Sequence, residues 1–515
     1  MKKSNALNDK PAFPRVFVSI LFTTVGLYWP AVFAVSKCYN EGLVNHSAVP
    51  RCETVEPMQF PDASKPTAAV FLSLLEQRNY DSVLVTYTAI KKHSPLTQLN
   101  IVATRASLKD LEQMTRHCDQ DKKACAVSDL IKNSLINVIE IDKPQDYRYL
   151  QDFLQFYIKS KVVSLFPTIH PDETKNSDDS NNRLLPKVSI SEDVAKACEI
   201  PKYNLDILNP TASGKTMGGN LESLPSNVIA LGKYKVVQDD ENSKFNSMSD
   251  AELKLIIKQR YAKENLSDDQ ISQLIWSFRN GELTSKSFEK KLSGLKVIHP
   301  LINLTLSEHV DETFSVIKSN SKCGFSVLIP SPKTAIEIMQ RLTVPSDKAK
   351  CLNSGGPNLK TSLPKDQSTE RNHMEGMCVG FRGKTYDDLL KDSEFLRLNE
   401  RLESFSQENM NMIREALKNR CENIDFIKIP YLIGKAPWGE NELVTPNLVN
   451  GLVITPFTTE SSIYINNPTF FRPFDEYLVH LLNKRGVNTF FTKDSDYFFG
   501  FGGYHCASST IQLCK

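Results

Sequence analysis

Along most of this chain, short apolar and β-branched runs alternate with longer stretches in which apolar residues recur every three or four positions. Val83–Tyr87, Ile136–Ile141, Val228–Leu231, Phe325–Ile329, Phe426–Ile429 and Leu452–Ile454 read as strands. Thr334–Leu342, Asp387–Leu417 and Phe474–Lys484 read as helices between them. The alternation predicts an α/β fold. Two segments fall outside it. Residues 35–80 are Pro-rich and loop-like and read as an N-terminal arm, with Cys38 and Cys52 near enough in sequence for a local disulfide. Residues 248–294 read as a charged helical insert, opened by capping boxes at Ser249/Glu252 and Ser267/Gln270. Each box is followed by a helical apolar set: Leu253, Ile256 and Ile257, then Ile271, Leu274, Ile275 and Phe278. Asp172–Asn182 is a polar loop.

The first 34 residues have a pattern of their own. A basic start (Lys2, Lys3, Lys10, Arg15) leads into the apolar run Val16–Ala34, which closes on Val32-Phe33-Ala34, a sequence that suits signal-peptidase cleavage. This predicts export, to a periplasm or out of the cell. The run of 19 residues is also long enough for an uncleaved membrane anchor, and Pro30 near its end favours the signal. No second segment is apolar enough to span.

Composition changes the picture in two places. Cleavage after Ala34 would remove four basic residues and one acidic residue and take the formal charge from +2 to −1. Nothing in that charge balance points to nucleic acid or an anionic surface as a partner. All 11 cysteines lie beyond the cut, and in an oxidising compartment an odd number leaves at least one as a thiol. The phosphate-loop look of Asn209–Thr216 (NPTASGKT) is set aside, because Asn209 stands where the first glycine is required and no clear strand leads into it.

Four short stretches carry candidate chemistry. In Ser307–Ile317, His309 and Asp311 are two apart, a spacing that puts both on one face if the segment is a strand. Taken by itself the pair reads first as an ordinary surface pair. In Tyr147–Ile158, the polar Gln151-Asp152 sits inside an aromatic and aliphatic run, where a carboxylate needs a cationic or hydrogen-bonding partner; a helix-surface carboxylate is the plainer reading. Gly218–Gly232 is a Gly-Gly-Asn turn leading to a strand, and by itself an ordinary hairpin. Near the C-terminus, Gly502-Gly503-Tyr504-His505-Cys506-Ala507-Ser508 sets a His and a Cys after a Gly-Gly turn.

Together and in this order, the four resemble the protein-arginine deiminases of the guanidino-group-modifying (pentein) superfamily. Tyr149-Leu150-Gln151-Asp152-Phe153 is similar to the family's Trp-[hydrophobic]-Gln-Asp-Glu motif, and Gly219-Asn220-Leu221-Glu222 matches its Gly-Asn-Leu-Glu segment. Glu308-His309-Val310-Asp311-Glu312 resembles Gly-His-Val-Asp-Glu, and the Cys506 segment resembles the Gly-Glu-Val-His-Cys-Gly-Thr motif that carries the nucleophile. Thr445–Val453 (TPNLVNGLV) looks like the family's Pro-Asn-Met-Val-Asn strand. The resemblance implies a five-bladed, pseudo-symmetric α/β propeller over about 81–515, with the motifs meeting at its centre.

The resemblance further implies a hydrolase that deiminates arginine side chains of proteins or peptides to citrulline and releases ammonia; a small-guanidine deiminase acting on free arginine or agmatine, and a non-catalytic binding protein on the same fold, are the other readings. Asp152 and Asp311 would grip the guanidinium, Cys506 would attack its carbon as the thiol outside the bridges, and His309 would serve as acid and base. Tyr149 would cover the substrate stem in place of the family's Trp, and Arg183 would contact the substrate backbone. Of the family's calcium ligands, Gln151 and Glu222 match, Gln155 stands where a Glu is usual, and Phe153 has no oxygen to give. One calcium site at most is expected, and no redox cofactor.

Overall fold

Thr67–Leu74 (TAAVFLSL) is buried at all eight positions, the mark of a strand covered on both faces. The computed structural model describes residues 38–39, 61–74, 79–119, 121–141, 150, 154–159, 162–167, 190–200, 221–231, 248–260, 271, 295–301, 309–341, 386–435, 441–458, 461–469, 471–492 and 503–513. Among these, strand β1 (Thr67–Leu74) is followed by α1 (Tyr80–His93), β2 (Gln98–Thr104), α2 (Arg105–Met114), α3 (Lys122–Lys132) and β3 (Asn137–Ile141). Next come the hairpin β4 (Leu154–Lys159) and β5 (Val162–Pro167), helix α4 (Ile190–Cys198), and β6 (Leu221–Leu224), β7 (Val228–Leu231), α5 (Asp250–Arg260) and β8 (Lys296–Ile298). After them stand β9 (Ser315–Lys318), β10 (Phe325–Ser331), α6 (Pro332–Arg341), α7 (Tyr386–Lys391), α8 (Ser393–Leu417) and β11 (Asp425–Pro430). The hairpin β12 (Ile433–Lys435) and β13 (Asn441–Leu443), then β14 (Leu452–Ile454), β15 (Ser462–Asn466), α9 (Arg472–Asn483), β16 (Val487–Phe491) and β17 (Ser508–Gln512) complete the order.

Four small sheets repeat one unit, in which a central strand is antiparallel to one neighbour and parallel to the other. The central strands are β1 (with β17 and β2), β7 (with β6 and β8), β10 (with β9 and β11) and β15 (with β14 and β16). Parallel neighbours need a crossover, and helices α1, α6 to α8, and α9 lie on three of them. The fourth crossover, from Leu231 to Lys296, holds the 248–294 segment, so the insert occupies a place that a helix fills in the other units. Its first capping box forms: Ser249 N and Oγ both donate to Glu252 Oε2 at 2.7 Å. The second box, and the polar loop and the phosphate-loop look-alike, lie outside the described residues.

Several expectations are corrected. Val83–Tyr87 is part of helix α1, in which the buried Tyr80, Val83, Thr86, Ala89 and Ile90 recur at helical spacing, with Asp81 and Ser82 of the first turn buried as well. A five-residue apolar run does not distinguish the two states, and the wider window does, with Asp81 in the first turn and Lys91, Lys92 and His93 in the last. The segment read as an arm, 35–80, contains core strand β1. Cys38 is bonded to Cys198, 160 residues away, and not to Cys52. Buried Cys38 packs in the cluster of Phe71, Ile139 and Val194, the last of these on α4, and its carbonyl accepts from Asn100 Nδ2 on β2 at 2.9 Å. Closing a loop of that length stabilises by about 5 kcal/mol through chain entropy. Cys118–Cys125 and Cys323–Cys421 are the other described bridges.

One part-buried acid gives the fold a pH dependence. Asp475, in the first turn of α9, accepts from Thr469 N (2.8 Å) and Oγ1 (2.6 Å). Burial pushes its pKa up to about 6, and the Thr469 hydrogen bonds counter only part of that. Between the ordinary Asp value and about 6, the folded chain holds a proton that the unfolded chain has lost, so this contribution to stability falls as pH rises through that window and is constant above it. Asn at this position keeps the acceptor oxygen and does not titrate. Urea midpoints from pH 4 to pH 7 should therefore decline less steeply for Asp475→Asn than for the wild type; identical slopes would contradict the account.

Candidate active site

Cys506 is held from both sides. Before it, Tyr504 is fully buried among Val70, Leu72 and Ile463, and its hydroxyl donates to Ser82 O (2.9 Å) and shares a hydrogen bond with Thr86 Oγ1 (2.7 Å). After it, Ser508 starts β17, which is paired with β1 through Leu72↔Ser508. The turn between these anchors presents the buried Cys506, a thiol in none of the three described bridges.

His309 and Asp311 do not lie on a strand. His309 is extended and caps a 3-10 turn, Val310–Glu312. Fully buried Val310 and Phe314 pin that turn in the core beside β7 and β10, and so draw Asp311 and Glu312 inside. One donor atom from each of His309, Asp311 and Cys506 lies within 4.8 Å of the others. The turn, not strand alternation, brings the pair to the thiol.

A residue whose importance the sequence left unread ties the two segments together. Thr445–Gly451 is a turn, with β14 starting only at Leu452, so the strand likeness of this stretch is corrected as well. Asn447 Oδ1 accepts from Val449 N (2.9 Å), and Tyr464 donates its hydroxyl proton to Leu448 O. The turn aims Asn450, 0% exposed, between the nucleophile and the acid. Its Nδ2 donates to Asp311 Oδ2 (2.8 Å) and Cys506 Sγ (3.2 Å), with a longer contact to Asp311 O (3.4 Å). Its Oδ1 accepts from Cys506 N (3.3 Å), and its carbonyl accepts from His505 N (3.2 Å). Gly503 is required for this approach, since a Cβ there would come within 2.2 Å of Asn450 Oδ1.

Asp311 is the hub. Its Oδ2 accepts from Asn450 and from Cys506 Sγ (3.0 Å) and lies 3.2 Å from His505 Nδ1. Its Oδ1, equally buried, has no hydrogen-bond partner among the described residues. Burial alone would raise its pKa, yet the hydrogen bond and charge of His505, the charge of His309 and the thiol hydrogen bond together hold it below the usual Asp value. Burial works against a charged His505, but Glu222 and Asp311 outweigh it and hold that ring above the usual histidine pKa.

Glu222 stands on β6, whose hairpin with β7 is the ordinary hairpin that its sequence suggests, with Ser226 and Asn227 at positive φ in the turn. Its Oε1 lies 3.5 Å from His505 Nδ1. Among the described residues, the metal-capable group that includes Glu222 is completed by Asp311 and the imidazole of His505. Calcium takes six to eight oxygen ligands, so this set does not fit it. Tyr149, Gln151, Asp152 and Arg183 lie outside the described residues, as does the side chain of Gln155, whose backbone is in β4. Leu154, two residues past Asp152, accepts through its carbonyl from Ser509 Oγ (2.7 Å), three residues past Cys506.

Solved structures similar to the chain include agmatine deiminase of C. jejuni (12% identity, 88% of this chain and 97% of that one, TM-score 0.41) and agmatine deiminase of Enterococcus faecalis (11%, 89% and 96%, 0.40). A putative arginine deiminase from Porphyromonas gingivalis is similar at 10% identity, over 88% of this chain and 98% of that one, with a TM-score of 0.42. At such scores these likenesses decide nothing. No curated protein matches the sequence. The sequence profile of the protein-arginine deiminases (PAD) matches residues 281–514, the stretch that holds His309, Asp311, Asn450 and Cys506. Over those residues the chain carries a domain of the protein-arginine deiminase family.

Proposed function

We propose that the chain is a deiminase that hydrolyses guanidinium groups, with arginine in peptides or proteins as its substrate. The observation that carries this reading is the gathering of a thiol, an imidazole and a carboxylate within 4.8 Å, the carboxylate keeping one buried oxygen without a partner among the described residues. A guanidinium is a planar cation whose N–H groups suit such an oxygen while its central carbon stays open to the sulfur. Asp311, with Asp152 as the second carboxylate, grips the cation. The Cys506 thiolate attacks the carbon, and the His309 imidazolium gives a proton to the departing nitrogen, which leaves as ammonia. Neutral His309 then takes a proton from water, which attacks the thiouronium carbon. Collapse of that adduct returns the thiolate and leaves the ureido group.

Tyr149 covers the substrate stem in this reading, and Arg183 contacts its backbone. The hairpin β4–β5 is the fifth unit of a five-bladed propeller whose other four are the repeated sheets. The three disulfides among the described residues suit an exported protein, acting in a periplasm or outside the cell. No helix among the described residues is long and apolar enough to cross a membrane. Calcium occupies one site at most, on Gln151, Gln155 and Glu222, and turnover does not depend on it, since Glu222 Oε1 already lies 3.5 Å from His505 Nδ1.

A colour assay for the ureido product, run on benzoyl-arginine amide, free arginine and agmatine with and without excess chelator, tests these points together. Benzoyl-arginine amide should turn over fastest, and the chelator should leave its rate unchanged. Preference for agmatine or arginine would make the chain a small-guanidine deiminase. Complete, reversible loss with chelator would mean that Gln151, Gln155 and Glu222 hold a calcium that turnover requires. No turnover of any of the three would end the deiminase reading.

A further inference from the structure

We propose that Asn450 is a further catalytic residue, the hydrogen-bond donor that stabilises the Cys506 thiolate against the adjacent Asp311 carboxylate. The inference rests on the reading of Cys506 as nucleophile. A thiol 3.0 Å from a carboxylate oxygen donates to it comfortably, but once the proton leaves, two negative atoms on buried residues face each other. A donor between them is needed to keep both charges. Asn450 Nδ2 is in that place, 2.8 Å from Asp311 Oδ2 and 3.2 Å from Cys506 Sγ, and its two protons allow one bond to each.

The orientation of the amide is fixed. Cys506 N donates to Oδ1, so the NH₂ group must turn toward the sulfur and the carboxylate. The surroundings hold it there. Gly503 leaves room on one side, and on the other a Cβ at Gly451 would lie 2.3 Å from the Tyr464 ring, so the chain on both sides of the contact is built for close approach. All three polar functions of the side chain are thereby spent on the nucleophile loop and Asp311.

The test is the rate at which iodoacetamide alkylates Cys506, read by peptide mass spectrometry from pH 5 to pH 10, in the wild type and two variants. Asn450→Ala removes the amide. Asn450→Asp keeps the shape and the acceptor for Cys506 N but replaces the donor with a second carboxylate oxygen. Alkylation near pH 7 should slow about 10- to 100-fold in both, the worth of a hydrogen bond to a charged group, and its pH profile should move upward. Deimination kcat should fall over the same range. Folding is checked by near-ultraviolet circular dichroism. Unmoved alkylation profiles in folded variants would overturn the proposal. Failure of both variants to fold would overturn it as well, by making Asn450 a framework residue. Because alkylation needs no substrate, shifted profiles in a protein that deiminates nothing would uphold the role of Asn450 while the deiminase reading fails.

Discussion

Cys506→Ser is expected to bind guanidinium substrates and turn over none of them. The hydroxyl is close to the thiol in size, and it can still donate to Asp311 Oδ2 and accept from Asn450 Nδ2, so the loop between Tyr504 and β17 has no reason to move. What it lacks is an accessible anion near neutral pH, and loss of a covalent nucleophile costs about ten-thousand-fold or more in kcat. Binding of the guanidinium substrate and of the ureido product, measured by calorimetric titration, should be unchanged, because the binding carboxylates are intact. A haloacetamidine, whose amidinium imitates the substrate head, should label Cys506 in preference to the cysteines of the three described bridges. If the serine variant keeps wild-type turnover, or if mass spectrometry finds the label spread over several cysteines, Cys506 is structural and the proposed chemistry is wrong.

What the sequence revealed, and what it hid, follows from how local each feature is. Val228–Leu231 and Leu452–Ile454 were legible as strands because an apolar run bounded by turn residues is a local signal. The helix over Asp387–Leu417 was legible by its period, but its break was not read: Asp392 caps a new helix through bonds from Glu394 N and Phe395 N. Strand β1 went unseen because its Pro-rich flanks resemble a loop, and its partner β17 lies more than four hundred residues away. The Cys38–Cys198 bridge was hidden for the same reason, since proximity in sequence says nothing of a contact made through the packing of α4.

The site divides along the same line. Residue types named Cys506, His309 and Asp311, and their order matched a known pattern. Their geometry depends on a 3-10 turn and not on the strand alternation that their spacing suggests. His505 and Asn450 were read only as neighbours of motif residues. Their roles appear when Glu222, Asp311 and Cys506, from three separate segments, are brought against them. A signal was present in the Gly502-Gly503 pair: a turn that excludes side chains invites the question of what approaches it, and the answer is Asn450.

Asp311→Asn should weaken both binding and chemistry, and the two orientations of the new amide explain why neither escapes. If its nitrogen replaces Oδ2, a donor faces the donors Asn450 Nδ2 and Cys506 Sγ. If its nitrogen replaces Oδ1, the buried oxygen without a partner among the described residues becomes a donor pointed at a cation. Either way one of the charges facing the guanidinium is gone, and a hydrogen bond to a charged group is worth about 1.5–3 kcal/mol. KM should therefore rise about 10- to 100-fold. kcat should fall with it, since the same carboxylate holds the thiol and lies beside His505. A fall in kcat with KM unchanged would restrict Asp311 to aligning Cys506 and remove it from substrate binding. The sharper measurement compares substrate with product. The ureido product is neutral, so the wild type should bind it far more weakly than the guanidinium, and that gap depends on the carboxylate charge. In Asp311→Asn the two affinities should converge; if the gap keeps its wild-type size, the charge that selects the substrate lies elsewhere in the site.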